Sequence, residues 1–334
     1  MSRRIKKSFK EEQKNAITLL AFIVLAAMLI LAVIGFLGYL NSKGDGLEGK
    51  IVYTEGGDWS GSEIWILDIG TGARKQLTFS GLNGAPLWSP DGSKILYSHF
   101  VTPSGPQEIH VMNEDGSKDR LVTQENRATV PASWFDDGSI LVGYWEGCGI
   151  KIRRVSVEGG ELEKPFLDPA IAGQGQTWSI DISRKHVPEV GERLIVFDAM
   201  QECTGYTNYF DLYVAKLDGS FLSVFFEDAD DNITDGLARW SPDSSRIAWT
   251  RNNEIFYSRV DSSGQAEKLI QLTHDGKPKV SGPWSPDGRW ILIYRREGKS
   301  NLFDLFAVNI ETKEIKNLTN TSDKDEASSD WREY

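Results

Sequence analysis

The chain has 334 residues, of which 40% are hydrophobic, 25% are charged and 11% are aromatic, and its formal net charge is −11. This composition excludes a largely disordered chain and favours a globular protein that can bury a sizeable core. The charge is unevenly divided, since residues 1–15 carry a net +4, residues 16–40 none and the remainder −15. An acidic remainder argues against nucleic acid as a partner, because phosphates would be repelled.

Residues 16–40 form an uncharged apolar segment that follows the basic tail of residues 1–15. At about 1.5 Å per residue, the segment is long enough to cross a hydrocarbon core of about 30 Å. No cleavage pattern follows it, so we expect one transmembrane signal anchor that is retained. The basic tail predicts a cytoplasmic N-terminus. Residues 41–49 are then a linker, and the rest of this single-pass cell-membrane protein is expected to be extracytoplasmic.

A repeat dominates residues 50–334. The sequence WSPDG occurs at 88–92 and 284–288, and WSPDS occurs at 240–244. Short apolar runs bounded by Gly, Asp, Asn and Pro lie between the copies, as is typical of strands and turns. Tryptophans recur in similar settings at Trp88, Trp134, Trp178, Trp240, Trp284 and Trp331. Units of about 45 residues with four strands each predict an all-β, six-bladed β-propeller.

The ring is expected to close through the C-terminal strand. The strand around Trp331 is predicted to be innermost in a blade whose other three strands lie within residues 50–80, an arrangement that removes open sheet edges. Ser, Pro, Asp and Gly each favour turns, and the preceding tryptophan suits a wedge between blades. We therefore interpret the WSPDG motif as mainly structural.

The repeat resembles that of the TolB-like six-bladed propellers. The resemblance is carried by WSPDG, by an acidic residue that opens a later strand (EIWIL, EIHVM, DLYVA, EIFYS, DLFAV), and by a closing QLT, LVT or NLT. It covers about residues 50–334. Propellers of this kind serve as protein-docking modules, accompany peptidases, or occasionally act on sugars, so the resemblance implies the fold more than the function. This chain differs from TolB in having no α/β domain before the propeller and in the predicted anchor.

The turns that carry SPDG should all lie on one face of the propeller, which we call the SPDG face. The chain enters there, after a linker that reaches roughly 30 Å when extended, so this face is expected to look toward the membrane. Loops on the opposite, outward face offer aromatic and arginine side chains of the kind that anchor interfaces, although packing on neighbouring loops is the alternative. These candidate binding residues are Trp59, Trp145, Tyr206, Tyr209, Arg251, Arg295 and Arg296.

Two further pairs are predicted. Asp235 and Arg239 approach the central channel with opposite charges and are expected to form a structural pair. Cys148 and Cys203 fall in equivalent loops of adjacent blades and are expected to form a disulfide in an extracytoplasmic compartment. The four histidines lack the spacing of metal ligands, so neither a metal nor a cofactor is predicted.

These observations favour a noncatalytic module, anchored in the membrane, that binds a protein, a peptide or a cell-envelope glycan. The sequence contains no GxSxG nucleophile motif. The alternative is a propeller enzyme, a lyase or hydrolase acting on a polysaccharide or a peptide terminus, which would need carboxylates or histidines converging at the channel.

Overall fold

The structure is a computed structural model of the chain. It describes residues 47–56, 62–102, 105–125, 129–135, 138–146, 149–160, 179–200, 210–218, 220–226, 233–297, 302–321 and 323–333. The predicted tail and span, with residues 41–46 of the linker, lie outside these ranges. Within them, no helix has the length and apolar character needed to cross a membrane.

Six antiparallel sheets build the TolB-like six-bladed propeller that the repeat predicts. Five of them each come from one continuous stretch of chain, and the sixth combines the first three strands with the last. In the described residues, five sheets have four strands and one has three. Named from the axis outward, blade 1 contains β23 (Glu326–Arg332), β1 (Lys50–Glu55), β2 (Glu63–Asp68) and β3 (Arg74–Gln76); blade 2, β4 (Asn83–Trp88), β5 (Lys94–Phe100), β6 (Gln107–Asn113) and β7 (Arg120–Glu125); blade 3, β8 (Thr129–Trp134), β9 (Ser139–Glu146) and β10 (Gly149–Ser156). Blade 4 contains β11 (Ile180–Ile182), β12 (Leu194–Met200), β13 (Phe210–Lys216) and β14 (Phe221–Val224); blade 5, β15 (Asp235–Trp240), β16 (Arg246–Arg251), β17 (Glu254–Arg259) and β18 (Ile270–Gln271); blade 6, β19 (Lys279–Trp284), β20 (Trp290–Arg296), β21 (Phe303–Asn309) and β22 (Ile315–Asn317).

The predicted closure of the ring is confirmed. β23 pairs antiparallel with β1, and Trp331 lies opposite Ile51. The Trp331 side chain is fully buried, and its indole Nε1 donates a hydrogen bond to the carbonyl of Glu48 at 2.8 Å. The last described strand thus completes the blade that the first strands begin.

The hydrophobic core lies between the blades. One cluster joins Val196 and Val214 of blade 4 to Trp240 and Trp249 of blade 5, and another joins blade 1 to blade 6. Flat sheet faces bury their apolar side chains against the next blade, so the axis itself is not filled by this core.

The WSPDG motif acts as a turn, as predicted. In its first copy, Ser89 Oγ donates to Asp91 at 2.6 Å and also accepts from the backbone N–H of Lys94 at 2.9 Å. Gly92 adopts a positive φ of 68°, which favours glycine. The copies at 240–244 and 284–288 repeat the Ser-to-Asp hydrogen bond at the same distance.

One predicted member of the repeat is wrong. The wedge position of blade 4 belongs to Ile182, because Ile182 pairs with Ile195 as Trp240 pairs with Ile247 and Trp284 with Ile291. Ser183 then makes the turn contact that Ser makes in WSPDG, accepting a hydrogen bond from the N–H of Leu194. Trp178 lies four positions earlier, outside the described residues.

The acidic residues and threonines that mark the repeat hold the blades' outer strands together. Thr78 Oγ1 accepts from the N–H of Ile64 and donates to Glu63, whose other oxygen accepts from the N–H of Gly81. Glu254 and Thr273 repeat this arrangement in blade 5. These residues of the repeat therefore stabilise the fold, and a functional site is to be sought at other positions.

We predict that Gly49→Ala destabilises the closed ring far more than Gly72→Ala. Both glycines have positive φ, so alanine costs about 1 kcal/mol at each. A Cβ at Gly49 would also lie 2.0 Å from the carbonyl oxygen of Arg332, whereas nothing lies within 4 Å at Gly72. Displacing that backbone should cost a further 2 kcal/mol or so. Urea unfolding followed by tryptophan fluorescence measures both losses, and equal losses would contradict this account of the closure.

Candidate functional site

The innermost strands are irregular at the same place. A β-bulge interrupts the pairing of the innermost strand in five blades. In three of them the residue three positions before the tryptophan has a positive φ, namely Ala85, Leu237 and Ser328. Bulges bend a strand and redirect its side chains, and they often lie beside functional sites. These irregularities draw attention to the axis of the propeller.

A central cavity of about 310 Å³ opens at the axis on the SPDG face. Each blade contributes to its wall the residue immediately before the wedge position. We call this set the axial ring, and its members are Leu87, Ser133, Asp181, Arg239, Pro283 and Asp330. The sequence analysis identified only Arg239 among them. The signal was nevertheless present, since every ring residue precedes a residue of the repeat.

The two carboxylates of the axial ring connect neighbouring blades. Asp181 accepts hydrogen bonds from the backbone N–H of Ile182 at 3.0 Å and of Trp240 at 2.8 Å. Asp330 accepts from the N–H of Trp88 and of Trp331, each at 2.9 Å. Burial raises the pKa of both carboxyls, while Arg239 acts in the opposite direction on each. All four oxygens thus already hold a backbone amide.

Four arginines line the same cavity, so its wall carries two more positive than negative charges. Arg332 lies over the Trp88 ring at 4.1 Å and pairs with Glu114, and Arg184 is 4.0 Å from Asp330. Arg193 donates to the carbonyl of Ser183 at 2.7 Å. Arg239 donates to the carbonyl of Ala238 at 3.1 Å and forms no ion pair with any carboxylate that the structure describes.

The tryptophans of the cavity wall are buried wedges. Trp284 donates its indole N–H to the carbonyl of Arg239 at 3.0 Å, a contact between adjacent blades. The indole N–H groups of Trp88, Trp134 and Trp240 are buried and have no hydrogen-bond partner in the described chain, and the same holds for Nε of Arg332. A buried unpaired donor costs about 1–3 kcal/mol. The unsatisfied groups around this cavity are all donors.

On the outward face, Arg251 is part of a buried ion pair. Its guanidinium lies 2.6 Å from Asp235, and the two side chains are only 11% and 6% exposed. Asp235 also accepts from the indole of Trp249 at 2.8 Å, although burial raises the pKa of this carboxyl to about 7. The predicted pair of Asp235 with Arg239 is therefore wrong. The two residues lie at opposite ends of β15, and Arg251 is the cross-strand neighbour of Asp235.

Arg295 and Arg296 also pack against their own blade. Arg295 contacts Asp275 at 3.1 Å and Glu297 at 3.0 Å, and its side chain is 10% exposed. Arg296 lies 4.4 Å from the centre of the Phe303 ring. Arg251 and Arg295 therefore pack on neighbouring groups, and the geometry does not favour them as exposed anchors of an interface.

The remaining predicted residues lie outside the described part of the chain. These are Trp59, Tyr206, Tyr209, the two cysteines predicted to pair, Cys148 and Cys203, and the side chain of Trp145. Among the residues that the structure does describe, no group of three or more His, Cys, Asp or Glu side chains is arranged to hold a metal ion.

Comparison with known proteins agrees with this architecture. Residues 211–282, from β13 to β19, match the family described as the dipeptidyl peptidase IV N-terminal region. A probable dipeptidyl-aminopeptidase B of Grosmannia clavigera is 34% identical over 83 residues, which is 18% of this chain and 8% of that protein. The chain therefore spans less than a tenth of the length of this curated relative.

Two solved structures share the propeller over most of this chain. TolB from Acinetobacter baumannii superposes with a TM-score of 0.64 and 18% identity, covering 86% of this chain and 67% of that one. The putative TolB from Agrobacterium tumefaciens superposes with a TM-score of 0.56 and 13% identity, covering 85% of this chain and 99% of that one. At these identities the likeness concerns the fold alone.

We predict that Arg251→Gln lowers the free energy of unfolding by about 3 kcal/mol, because it leaves the buried Asp235 carboxylate without its partner. Arg296→Gln is the control, and loss of its ring contact should cost under about 1 kcal/mol. A raised carboxyl pKa favours the neutral form below it, so the Arg251→Gln loss should be smaller at pH 5 than at pH 8. Urea unfolding at both pH values measures this, and a loss independent of pH would contradict the assignment.

Proposed function

We propose that this protein is a membrane-anchored, extracytoplasmic propeller that binds a protein or peptide ligand without transforming it. The observation that carries the proposal is the axial cavity, in whose wall the half-buried guanidinium of Arg239 forms no ion pair with a carboxylate of the described residues. A cavity with a few convergent polar groups is the usual form of a ligand site. The innermost strands that carry its wall are paired on a rigid scaffold.

A peptide suits this cavity better than a glycan, the other ligand considered for a binding module. Sugars stack on exposed aromatic faces, but the tryptophans here are at most 8% exposed. The guanidinium of Arg332 also covers the ring of Trp88. What the wall presents is hydrogen-bond donors beside the apolar side chains of Leu87, Ile182 and Pro283.

The membrane location belongs to the same proposal. It is supported by the uncharged segment of residues 16–40 and the basic tail before it. The predicted linker of residues 41–49 ends at the SPDG face, because Lys50 begins β1 there. The expected ligand is therefore one that lies close to the extracytoplasmic membrane surface.

The enzymatic alternative is favoured by one specific observation, the two carboxylates of Asp181 and Asp330 in a single cavity. Paired carboxyl groups serve as acid and base in glycoside hydrolysis. Against this role, each oxygen of both residues accepts a backbone N–H, which fits carboxylates that join blades. On the proposed function, the purified full chain should release no product from envelope polysaccharides or peptides. Turnover that Asp330→Asn abolishes would establish the enzyme instead.

The proposal predicts that the ligand is captured at the axis. A photoreactive diazirine amino acid replacing Leu87 in the full chain should cross-link to a peptide of a membrane-proximal protein in living cells, identified by mass spectrometry. The same amino acid at Lys277, on the outward face, is the matched control and should yield no such adduct. Adducts from Lys277 alone would reject the axial site, and glycan adducts at Leu87 would reject the peptide.

A further inference from the structure

The axial cavity has a chemical preference that follows from its donor groups. Every buried polar atom without a partner among its wall residues is an N–H donor, three indoles and one guanidinium nitrogen. No side-chain oxygen of the wall residues is both buried and without a hydrogen-bond partner. These nitrogens are buried inside the wall, so a ligand in the cavity does not reach them directly. The wall group that can donate to a ligand is the half-buried guanidinium of Arg239, and a guanidinium has donors only.

The charges of the wall point in the same direction. The carboxylates of Asp181 and Asp330 are each engaged by two backbone amides. The guanidinium of Arg239 has a single hydrogen bond, to the carbonyl of Ala238, and its remaining donors are unengaged in the described chain. Guanidinium groups bind carboxylates through two parallel hydrogen bonds, which makes Arg239 the natural receptor of such a group.

The neighbours of Arg239 restrict the anion further. Around the ring, Arg239 stands between Asp181 of blade 4 and Pro283 of blade 6, with Asp330 beyond Pro283. Arg184 lies 4.0 Å from Asp330 and Arg332 pairs with Glu114, so the charges of these two pairs cancel. Arg239 and Arg193 then face Asp181, a surplus of one positive charge that a monoanion neutralises and a dianion such as phosphate exceeds. A single carboxylate keeps its attraction to Arg239 while adding the least repulsion.

From these observations we infer that the axial cavity receives a carboxylate of the ligand, either an acidic side chain or the C-terminus of a peptide, on the guanidinium of Arg239. Pro283, the apolar neighbour of Arg239 in the ring, is then beside the carbon atoms next to that carboxylate, and Leu87 lies on the opposite side of the cavity. This inference rests on the proposed binding function, since it names the chemistry that the same cavity recognises.

The test uses the purified full chain in detergent micelles and three small aromatic probes of similar size, benzoate, benzamide and benzylammonium. Saturation-transfer NMR should show benzoate binding at least tenfold more tightly than the other two. Arg239→Gln should weaken benzoate about tenfold and leave benzamide unchanged. Arg289→Gln is the matched control, since Arg289 lies in an SPDG turn, is 45% exposed and pairs with Asp287 outside the cavity wall. Thermal unfolding confirms that each variant is folded.

The outcomes separate this inference from the proposed function. Three results would overturn the inference that the site binds a carboxylate on Arg239. These are tighter binding of benzylammonium than of benzoate, equal binding of benzoate and benzamide, and benzoate binding that survives Arg239→Gln. Displacement of benzoate by inorganic phosphate at equal concentration would overturn the preference for a monoanion and favour a lipid headgroup. Arg239-dependent benzoate binding without a peptide adduct at position 87 would support the site chemistry while rejecting the proposed function. A peptide adduct that persists in Arg239→Gln would reject only the carboxylate.

To identify which carboxylate is bound, hexapeptides with a free or an amidated C-terminus, each with and without an internal Asp, can compete with benzoate. Displacement by the free acids alone identifies the C-terminus, and displacement by the Asp peptides alone identifies a side chain. Competition by none of them would overturn the assignment to a peptide.

Discussion

The antiparallel pairing of β23 with β1 is the constraint on which the other features depend. It joins segments 283 positions apart, as the contact of Trp331 with Glu48 illustrates. Bringing the ends of so long a loop together costs conformational entropy, although that cost grows only slowly with loop length. In return, every blade gains a neighbour on both sides. Without this pairing, blade 1 would lose its innermost strand and the axial cavity would lose one wall.

Closure also explains where recognition takes place. Because the apolar clusters lie between blades, the axis is lined by what the inner strands present rather than by core side chains. The bulges interrupt the pairing of these strands shortly before the wedge residue, and the pairing resumes at the wedge or at the residue before it. The same departure from regular β-structure thus bends each strand next to the residue that it contributes to the cavity wall.

The fold was predictable from sequence because its signals are local. The WSPDG turns, the acidic openers and the closing threonines each act within one blade, so their repetition reports the blade count directly. Trp178 was misassigned because its local setting resembles the repeat, whereas the strand register depends on the distant pairing of Ile182 with Ile195. Position along the chain alone does not carry that information.

The site was harder to predict for two physical reasons. The axial ring has a fixed position in the repeat but five residue types among its six members, so no single type marks it in the sequence. The partner of Asp235 was missed because ion pairs follow the cross-strand register, which places Arg251 opposite it. A hairpin alignment of the predicted strands would have revealed that pair.

In the axial ring, most of the positions that line the cavity are different from the positions that hold the fold together. Leu87, Ser133 and Pro283 show that an apolar, a hydroxyl and an imino-acid residue can each occupy equivalent places in equally well-formed blades. The backbone therefore tolerates varied chemistry there, while the adjacent wedge and turn hold the architecture. Single exchanges at Leu87, Ser133 or Pro283 can therefore alter selectivity with little effect on folding, whereas Asp181 and Asp330 are constrained because each also joins two blades.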